Sequence, residues 1–315
     1  MVTPSTHQPV LRDAVLTALA VRSDGAYLDA TFGRGGHALG ILERLGDDGR
    51  LVVVDRDPAA IEAAHERLGD DPRVAIVHED FARLGDIASR TAPPDGFQGV
   101  LLDLGVSSPQ LDDAERGFSF RLGGPLDMRM DPGQGESAAE WLADVGEKEL
   151  ADVLYHLGDE RHSRRIARAI VAARAEAAIT TTTRLAEIIA AAMPRREADQ
   201  HPATRSFQAI RIHVNAELTA LDEALAALPD ILAPGGRAAV ISFHSLEDRR
   251  VKRFIRAESG KAPAVMRDRR GRALPVAQEP ARLKAIGSAV APDAREQAEN
   301  PRSRSARMRV MERLS

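Results

Sequence analysis

The chain has 315 residues, 43% apolar and 29% charged, with a formal net charge of −4, the composition of a globular protein of one large or two modest domains. It has no cysteine, which excludes disulfides, cysteine-ligated zinc, iron–sulfur chemistry and a cysteine nucleophile. No apolar run approaches the roughly 18 residues of a membrane span, and residues 1–8 lack a basic start and apolar core, so the expected location is the cytoplasm.

The first strand signal, 26–31, runs into Gly33-Arg34-Gly35-Gly36-His37-Ala38 and then a helix-like stretch. The second, 51–55, ends in Asp55, nineteen residues beyond Gly36. Strand, glycine turn, helix, strand and acid is how an α/β protein grips an adenosine: the glycines admit the ligand to the backbone, and the acid accepts the ribose hydroxyls. Strand signals at 73–78 and 97–103 follow, again with helical stretches between them. Alternation of this kind implies a mostly parallel sheet covered by helices on both faces.

The interval to the fifth strand, 237–243, is too long for a crossover. It carries helical patterning at Glu147–Leu157, Arg161–Ala178 and Thr183–Met193, bounded by Gly- and Pro-rich loops near 123–135 and by Pro202. The expected organisation is a sheet domain over 1–111, an inserted helical domain over 112–210, and the sheet domain resumed over 211–315. One long helix is expected over Phe207–Leu228, and Leu232-Ala233-Pro234-Gly235-Gly236 turns into the fifth strand. Residues 258–304 read as loop, and Arg307–Arg313 alternates enough to be a last edge strand.

Gly33-x-Gly35-x-x-Ala38 also fits a dinucleotide fingerprint, so NAD is an alternative at this point. Four acids weigh against it. Asp29, inside the first strand, can hold the ammonium end of an amino acid, directly or through the turn. Asp55 ends the second strand, and the third ends His78-Glu79-Asp80-Phe81, an acid for the adenine amino group and an aromatic to cover its ring. The fourth ends Leu102-Asp103-Leu104-Gly105, at the edge where open α/β sheets bind ligands. Any one of these acids could be a helix cap; four around one crevice favour S-adenosyl-L-methionine, as does Leu-x-Pro-Gly-Gly before strand five.

The loop after strand four continues Val106-Ser107-Ser108-Pro109-Gln110. It partly matches the Asp/Ser/Asn-Pro-Pro-aromatic segment of enzymes that methylate exocyclic amines of bases, although Ser-Pro alone is a turn signal. Methylating cytosine C5 usually needs a cysteine adduct, which this chain cannot form. An amino nitrogen needs only in-line placement and an acceptor for its proton. Asp103, Ser107 and Ser108 are candidates, as are His244 and Ser245 within Ile241-Ser242-Phe243-His244-Ser245-Leu246-Glu247-Asp248. That stretch reads equally as a helix N-terminus with acids in its first turn.

Charge is uneven. From Arg237 to Ser315 there are 19 Lys and Arg against 9 Asp and Glu, whereas the other 236 residues carry 24 against 38. The basic end includes Arg267–Arg272 and Arg302–Arg309, readable as solvated surface or as a phosphate-binding face.

Several segments together are highly specific: Thr31-Phe32-Gly33-Arg34-Gly35-Gly36-His37, Arg116-Gly117-Phe118-Ser119-Phe120, Gly124-Pro125-Leu126-Asp127-Met128-Arg129-Met130-Asp131, Asp159-Glu160-Arg161 with Ser163-Arg164-Arg165-Ile166-Ala167, and Asn300-Pro301-Arg302-Ser303-Arg304-Ser305-Ala306. With His7-Gln8-Pro9-Val10-Leu11, they make the chain resemble, over nearly its whole length, the MraW family of small-subunit ribosomal RNA methyltransferases. Gly123 departs from the acid usual there.

The resemblance implies an α/β fold, a Rossmann-like class I S-adenosylmethionine-dependent methyltransferase sheet with an inserted all-helical domain. It implies methylation of the N4 amino group of one cytosine in 16S rRNA, in the decoding region of the small ribosomal subunit. By motif, the cofactor contacts fall on Gly35, Gly36, His37, Asp55, Phe81, Asp103 and Gln110, His37 through its backbone N–H. Neither a metal nor a membrane partner is expected. The rival readings are a nicotinamide-dependent dehydrogenase, a non-catalytic RNA-binding factor, and the same chemistry on another nucleic acid or a protein.

Overall fold

The computed structural model describes residues 9–193, 201–260 and 280–315. The basic run Arg267–Arg272, part of the 258–304 stretch, and His7-Gln8 of the first motif lie outside the described residues. The chain divides into two compact units: one built from the segments up to Gly105 and from Thr219 onward, the other from Val106–Leu218.

The first unit is a sheet protein. Its strands are β1 (Ala26–Asp29), β2 (Arg50–Asp55), β3 (Val74–His78), β4 (Phe97–Asp103), β5 (Leu232–Ser242), β6 (Leu283–Val290) and β7 (Arg307–Arg313). Among the described residues they form one seven-stranded sheet in the order β3-β2-β1-β4-β5-β7-β6. β1 to β5 run parallel, and β7 lies antiparallel between β5 and β6. Helix α1 (Arg12–Ala18) precedes β1, and α2 (Gly36–Leu42), α3 (Pro58–Leu68) and α4 (Leu84–Thr91) connect the first four strands.

Side chains alternate across the sheet, as strand geometry requires. Leu28, Val52, Val100, Leu102 and Val240 pack with Leu84 and Ile87 of α4 and with Leu221, Leu225 and Leu228. Tyr27, Leu51, Val53, Leu101 and Ile241 pack on the other face with Val15, Leu16, Ala38, Ile41 and Ala64 from α1, α2 and α3. A sheet covered on both faces needs continuous apolar strands, which is why β2 reads Leu-Val-Val-Val before its acid.

Register fixes where that acid falls. Asp29 pairs Val53, Asp55 pairs His78, and Asp103 pairs Ile241. The strand-end acids therefore share the carboxyl edge of one sheet.

Four expectations change, and the first is that Arg307–Arg313, expected as the last edge strand, is internal, because β6 pairs on its outer side. Within 258–304, read as loop, Leu283–Val290 is strand β6, and a short helix covers Ala294–Glu299. β6 is an edge strand whose Lys284, Gly287 and Ser288 break the apolar alternation, and its pairing with β7 shifts register between Ile286 and Val290. Such an edge needs little hydrophobic patterning. The single helix expected over Phe207–Leu228 is two, Thr204–Val214 and Glu217–Ile231. Asn215 breaks it: its amide donates to the carbonyls of Met128 (2.7 Å) and Arg211 (2.9 Å) and accepts the Met130 N–H (2.7 Å), while Ala216 takes a left-handed φ of 50°. The turn before strand five lies within β5 as a bulge, for Phe97 pairs Leu232 but Gly99 pairs Arg237.

The second unit is mainly helical: α5 (Ser108–Asp112), α6 (Ala138–Asp144), α7 (Glu147–Gly158), α8 (Ser163–Glu176), α9 (Thr182–Ala192) and α10 (Thr204–Val214). Trp141, Leu150, Leu154, Ile166, Ile170, Leu185, Ile189, Phe207 and Ile210 form its core. A capping box starts α6, where the Glu140 carboxylate accepts the Ser137 N–H at 2.7 Å. A Cβ on Gly123 would lie 2.9 Å from Thr183 Oγ1. In the first unit the remaining long helices are α11 (Glu217–Ile231) and α12 (Ser245–Glu258), with α13 (Ala294–Glu299) near the end. Among the described residues no helix is long and apolar enough to cross a membrane.

Candidate active site at the carboxyl edge of the sheet

The glycine turn leaves β1 and stays tied to its neighbours. Ala30 N–H donates to Leu101 O and Phe32 N–H to Val54 O, both at 2.9 Å, and Gly35 N–H closes back on Phe32 O at 2.7 Å. Gly35 is the N-cap of α2 with φ 78°, and a Cβ there would lie 2.6 Å from the Phe32 ring. Only glycine fits both constraints.

This turn also sets Asp55. Its Oδ2 accepts the Gly33 N–H at 2.8 Å, and its Oδ1 accepts the Asp57 N–H at 2.9 Å. The carboxylate is thus held between the loops that follow β1 and β2. Burial raises its pKa to about 6, and the N–H bonds pull the other way.

Beside it lie two acids and an imidazole: buried Asp29 and His37, and Asp103, whose side chain is partly exposed. Asp29 is fully buried; its Oδ1 accepts the Thr31 N–H at 3.1 Å, and its Oδ2 has no hydrogen-bond partner. The Thr31 hydroxyl accepts the Asp103 N–H at 2.7 Å, locking the β1 turn to the end of β4. His37, in the first turn of α2, places Nε2 3.4 Å from Asp103 Oδ2. That is long for a hydrogen bond and is better described as a charge contact. Burial lowers the His37 pKa, but Asp103 and then Asp29 outweigh it, and the net direction is upward. Asp103 Oδ1 is buried and has no hydrogen-bond partner. Asp29 Oδ2, Asp103 Oδ1 and the His37 ring nitrogens thus lack hydrogen-bond partners, and a cationic or N–H-bearing ligand would satisfy the two carboxylate oxygens.

Burial raises Asp29 to about 6 from an ordinary 3.8, with His37 opposing the rise. Between pH 4 and 6 the folded chain keeps a proton that the unfolded chain has released. Acidification through this window stabilises the fold, and the gain is lost as pH rises through 6. Asp29→Asn, neutral throughout, should exceed the parent in stability at pH 7.5 by on the order of 1–2 kcal/mol and lose that advantage by pH 4. Urea unfolding at the two pH values checks this; an equal difference at both would show that Asp29 does not titrate as described.

The remaining candidates are placed as follows. Phe81 opens a 3₁₀ turn, Phe81–Arg83, after β3 and packs partly buried against the sheet core. Asp80 caps that turn, accepting the Ala82 N–H at 2.8 Å, and pairs with Arg56 at 2.9 Å. Its neighbour Glu79 is held by Arg83 and Arg90. His244 is the N-cap of α12, with Nδ1 accepting the Glu247 N–H at 3.4 Å and Nε2 3.2 Å from Glu247 Oε1. Glu247 Oε2 accepts the Phe243 N–H at 2.7 Å. Helix capping thus engages the His244 ring. In the second unit Ser107 is the N-cap of α5, Ser108 opens that helix, and buried Gln110 accepts the Ser107 N–H at 2.8 Å.

The edge thus brings together Gly35, Gly36, His37, Asp55 and Asp103, with Phe81 and His244 following neighbouring strands; Ser107, Ser108 and Gln110 belong to the other unit. Thr31 and Glu247 were not foreseen. Glu247 had a signal, the three-residue capping-box spacing from His244; Thr31, whose partner is 72 positions away, had none.

Residues 4–314 match the model of the MraW methylase family. The chain is 55% identical to a protein of Xanthomonas euvesicatoria named ribosomal RNA small subunit methyltransferase H, covering 99% of this chain and 90% of that one. Proteins of the same name from Chromohalobacter salexigens (56% identity, 98% and 92% covered) and Thioalkalivibrio sulfidiphilus (54%, 98% and 98%) are equally similar. The chain belongs to the MraW methylase family.

Proposed function

We propose that this protein transfers the methyl group of S-adenosyl-L-methionine to the N4 amino group of one cytosine in the decoding region of 16S rRNA, in the cytoplasm. The name its relatives carry supports the small-subunit rRNA as substrate. The observation that carries the chemistry is the carboxyl edge itself: a ribose-suited acid fixed by two backbone N–H groups, beside buried Asp29 and His37 and partly exposed Asp103, with an unpartnered oxygen on each acid.

S-adenosyl-L-methionine, when bound, supplies an electrophilic methyl group. Its cationic sulfonium and ammonium suit the unpartnered oxygens of Asp29 and Asp103, Asp55 suits its ribose, and the Gly35–Gly36 turn suits close backbone approach. Phe81 would flank the adenine. Asp103 accepts the proton that the amine sheds once its nitrogen bonds carbon. His37 fixes one Asp103 oxygen so that the carboxylate keeps its orientation. Ser107, Ser108 and His244 remain alternative acceptors. The target cytosine must be unpaired or flipped out to reach the edge.

The test uses the pure protein, methyl-labelled cofactor and small subunits lacking the modification. Digestion to nucleosides should place the label on N4-methylcytidine from a single position. Label in another nucleoside, or only in protein, would overturn the acceptor.

A further inference from the structure

Helix α12 begins where β5 ends and runs away from the carboxyl edge of the sheet. Arg249, Lys252, Arg253 and Arg256 are all exposed on it. Their spacing, i, i+3, i+4 and i+7, puts all four on one face. At about 1.5 Å per residue the stripe is roughly 10 Å long.

The acids of this helix are committed elsewhere. Glu247 faces His244, Asp248 pairs with Arg309 of β7 at 2.7 Å, and Glu258 pairs with Arg282 at 2.8 Å. Across the neighbouring α11, Asp222 pairs with Arg250, which lies off the stripe, at 3.6 Å. None of the four stripe cations makes an ion pair among the described residues. Exposed Arg307 extends the array: it pairs with Ser242 at the end of β5 and shares strand parity with Arg309, which reaches α12.

We propose that the α12 stripe, with Arg307, is a track for an RNA phosphodiester backbone, leading the strand that carries the target base toward the catalytic edge. This rests on the RNA reading above. Each strand of a helical nucleic acid carries a phosphate about every 3.4 Å along its axis, so a stripe of this length reaches about four, one per cation. Among the described residues none of these cations is in ion-pair contact with a carboxylate that would neutralise it, as a polyanion site requires. A stretch of acidic protein is the competing occupant.

The experiment compares the full chain with a variant carrying Arg249→Gln, Lys252→Gln, Arg253→Gln and Arg256→Gln. The probes are a 20-nucleotide single-stranded RNA of mixed sequence and polyglutamate. Four lost contacts should flatten the slope of log affinity against log salt by about 3. Between 0.05 and 0.20 M salt the parent should then lose about 50-fold more RNA affinity than the variant. S-adenosylhomocysteine affinity and melting temperature should stay unchanged, which reports a folded protein. Replacing Arg161, Arg164 and Arg165 on the helical unit in the same way serves as the comparison.

An unchanged slope in the α12 variant, or polyglutamate competing as well as RNA, would overturn the track while leaving the function standing. A parent that binds no RNA would overturn both.

Discussion

Asp103→Asn is expected to lower kcat at least 100-fold while weakening S-adenosylhomocysteine binding far less. The asparagine has nearly the same shape, and its backbone N–H can still donate to Thr31 Oγ1, so the β1–β4 tie at the sheet edge survives. Two things are lost. The amide cannot take a proton from the incoming amine, and general-base catalysis is typically worth 10²–10⁴ in rate. The charge opposite His37 Nε2 disappears as well, leaving the imidazole with Asp29 as its remaining acidic neighbour. Single-turnover methylation alongside calorimetry separates these from a cofactor defect. Equal loss of turnover and cofactor affinity would leave Asp103 a cofactor ligand only and remove it as the base.

Gly35→Val should abolish measurable cofactor binding, a loss of at least 100-fold, and lower the melting temperature. The position has φ 78°, which a β-branched residue adopts only at a cost, and the new Cβ would meet the Phe32 ring at 2.6 Å. Relief requires the turn to move, and that turn carries the Gly33 N–H that holds Asp55. A displacement costing about 3 kcal/mol is already a hundredfold in affinity. Gly85→Ala in α4 is the control: no positive φ applies there, and the nearest atom to its Cβ is 3.9 Å away. That variant should bind the cofactor like the parent. If Gly35→Val bound normally, the glycine turn would not be part of the cofactor site.

The strand ends were legible because each buried strand is an apolar run stopped by an acid, and a parallel sheet aligns those stops. β6 was not, because an edge strand with Lys284, Gly287 and Ser288 has no alternation to read. The break between α10 and α11 was hidden for a related reason: Asn215 ends the helix through partners at Met128 and Met130, some 85 positions away. The same limit applies to the site. Asp29, His37 and Asp103 are each visible as polar residues near strand ends or a helix start, but that His37 turns its ring toward Asp103 depends on the register of β1 against β4 and on the entry of α2. The sequence expectation concerned only the backbone of His37; the structure adds its side chain to the electrostatics. His244 had two readings, and the capping geometry with Glu247 realises the helix-start one.

The central claim is that one cleft at the carboxyl edge of β1, β2 and β4 holds the methyl donor. A crystal structure of the protein with S-adenosylhomocysteine tests it most directly. The account predicts both ribose hydroxyls on the Asp55 carboxylate, the amino-acid end against the Gly35–Gly36 turn, and the sulfur on the side facing Asp103. Density for the nucleoside elsewhere, or Asp55 still making only its Gly33 and Asp57 contacts in the complex, would contradict it.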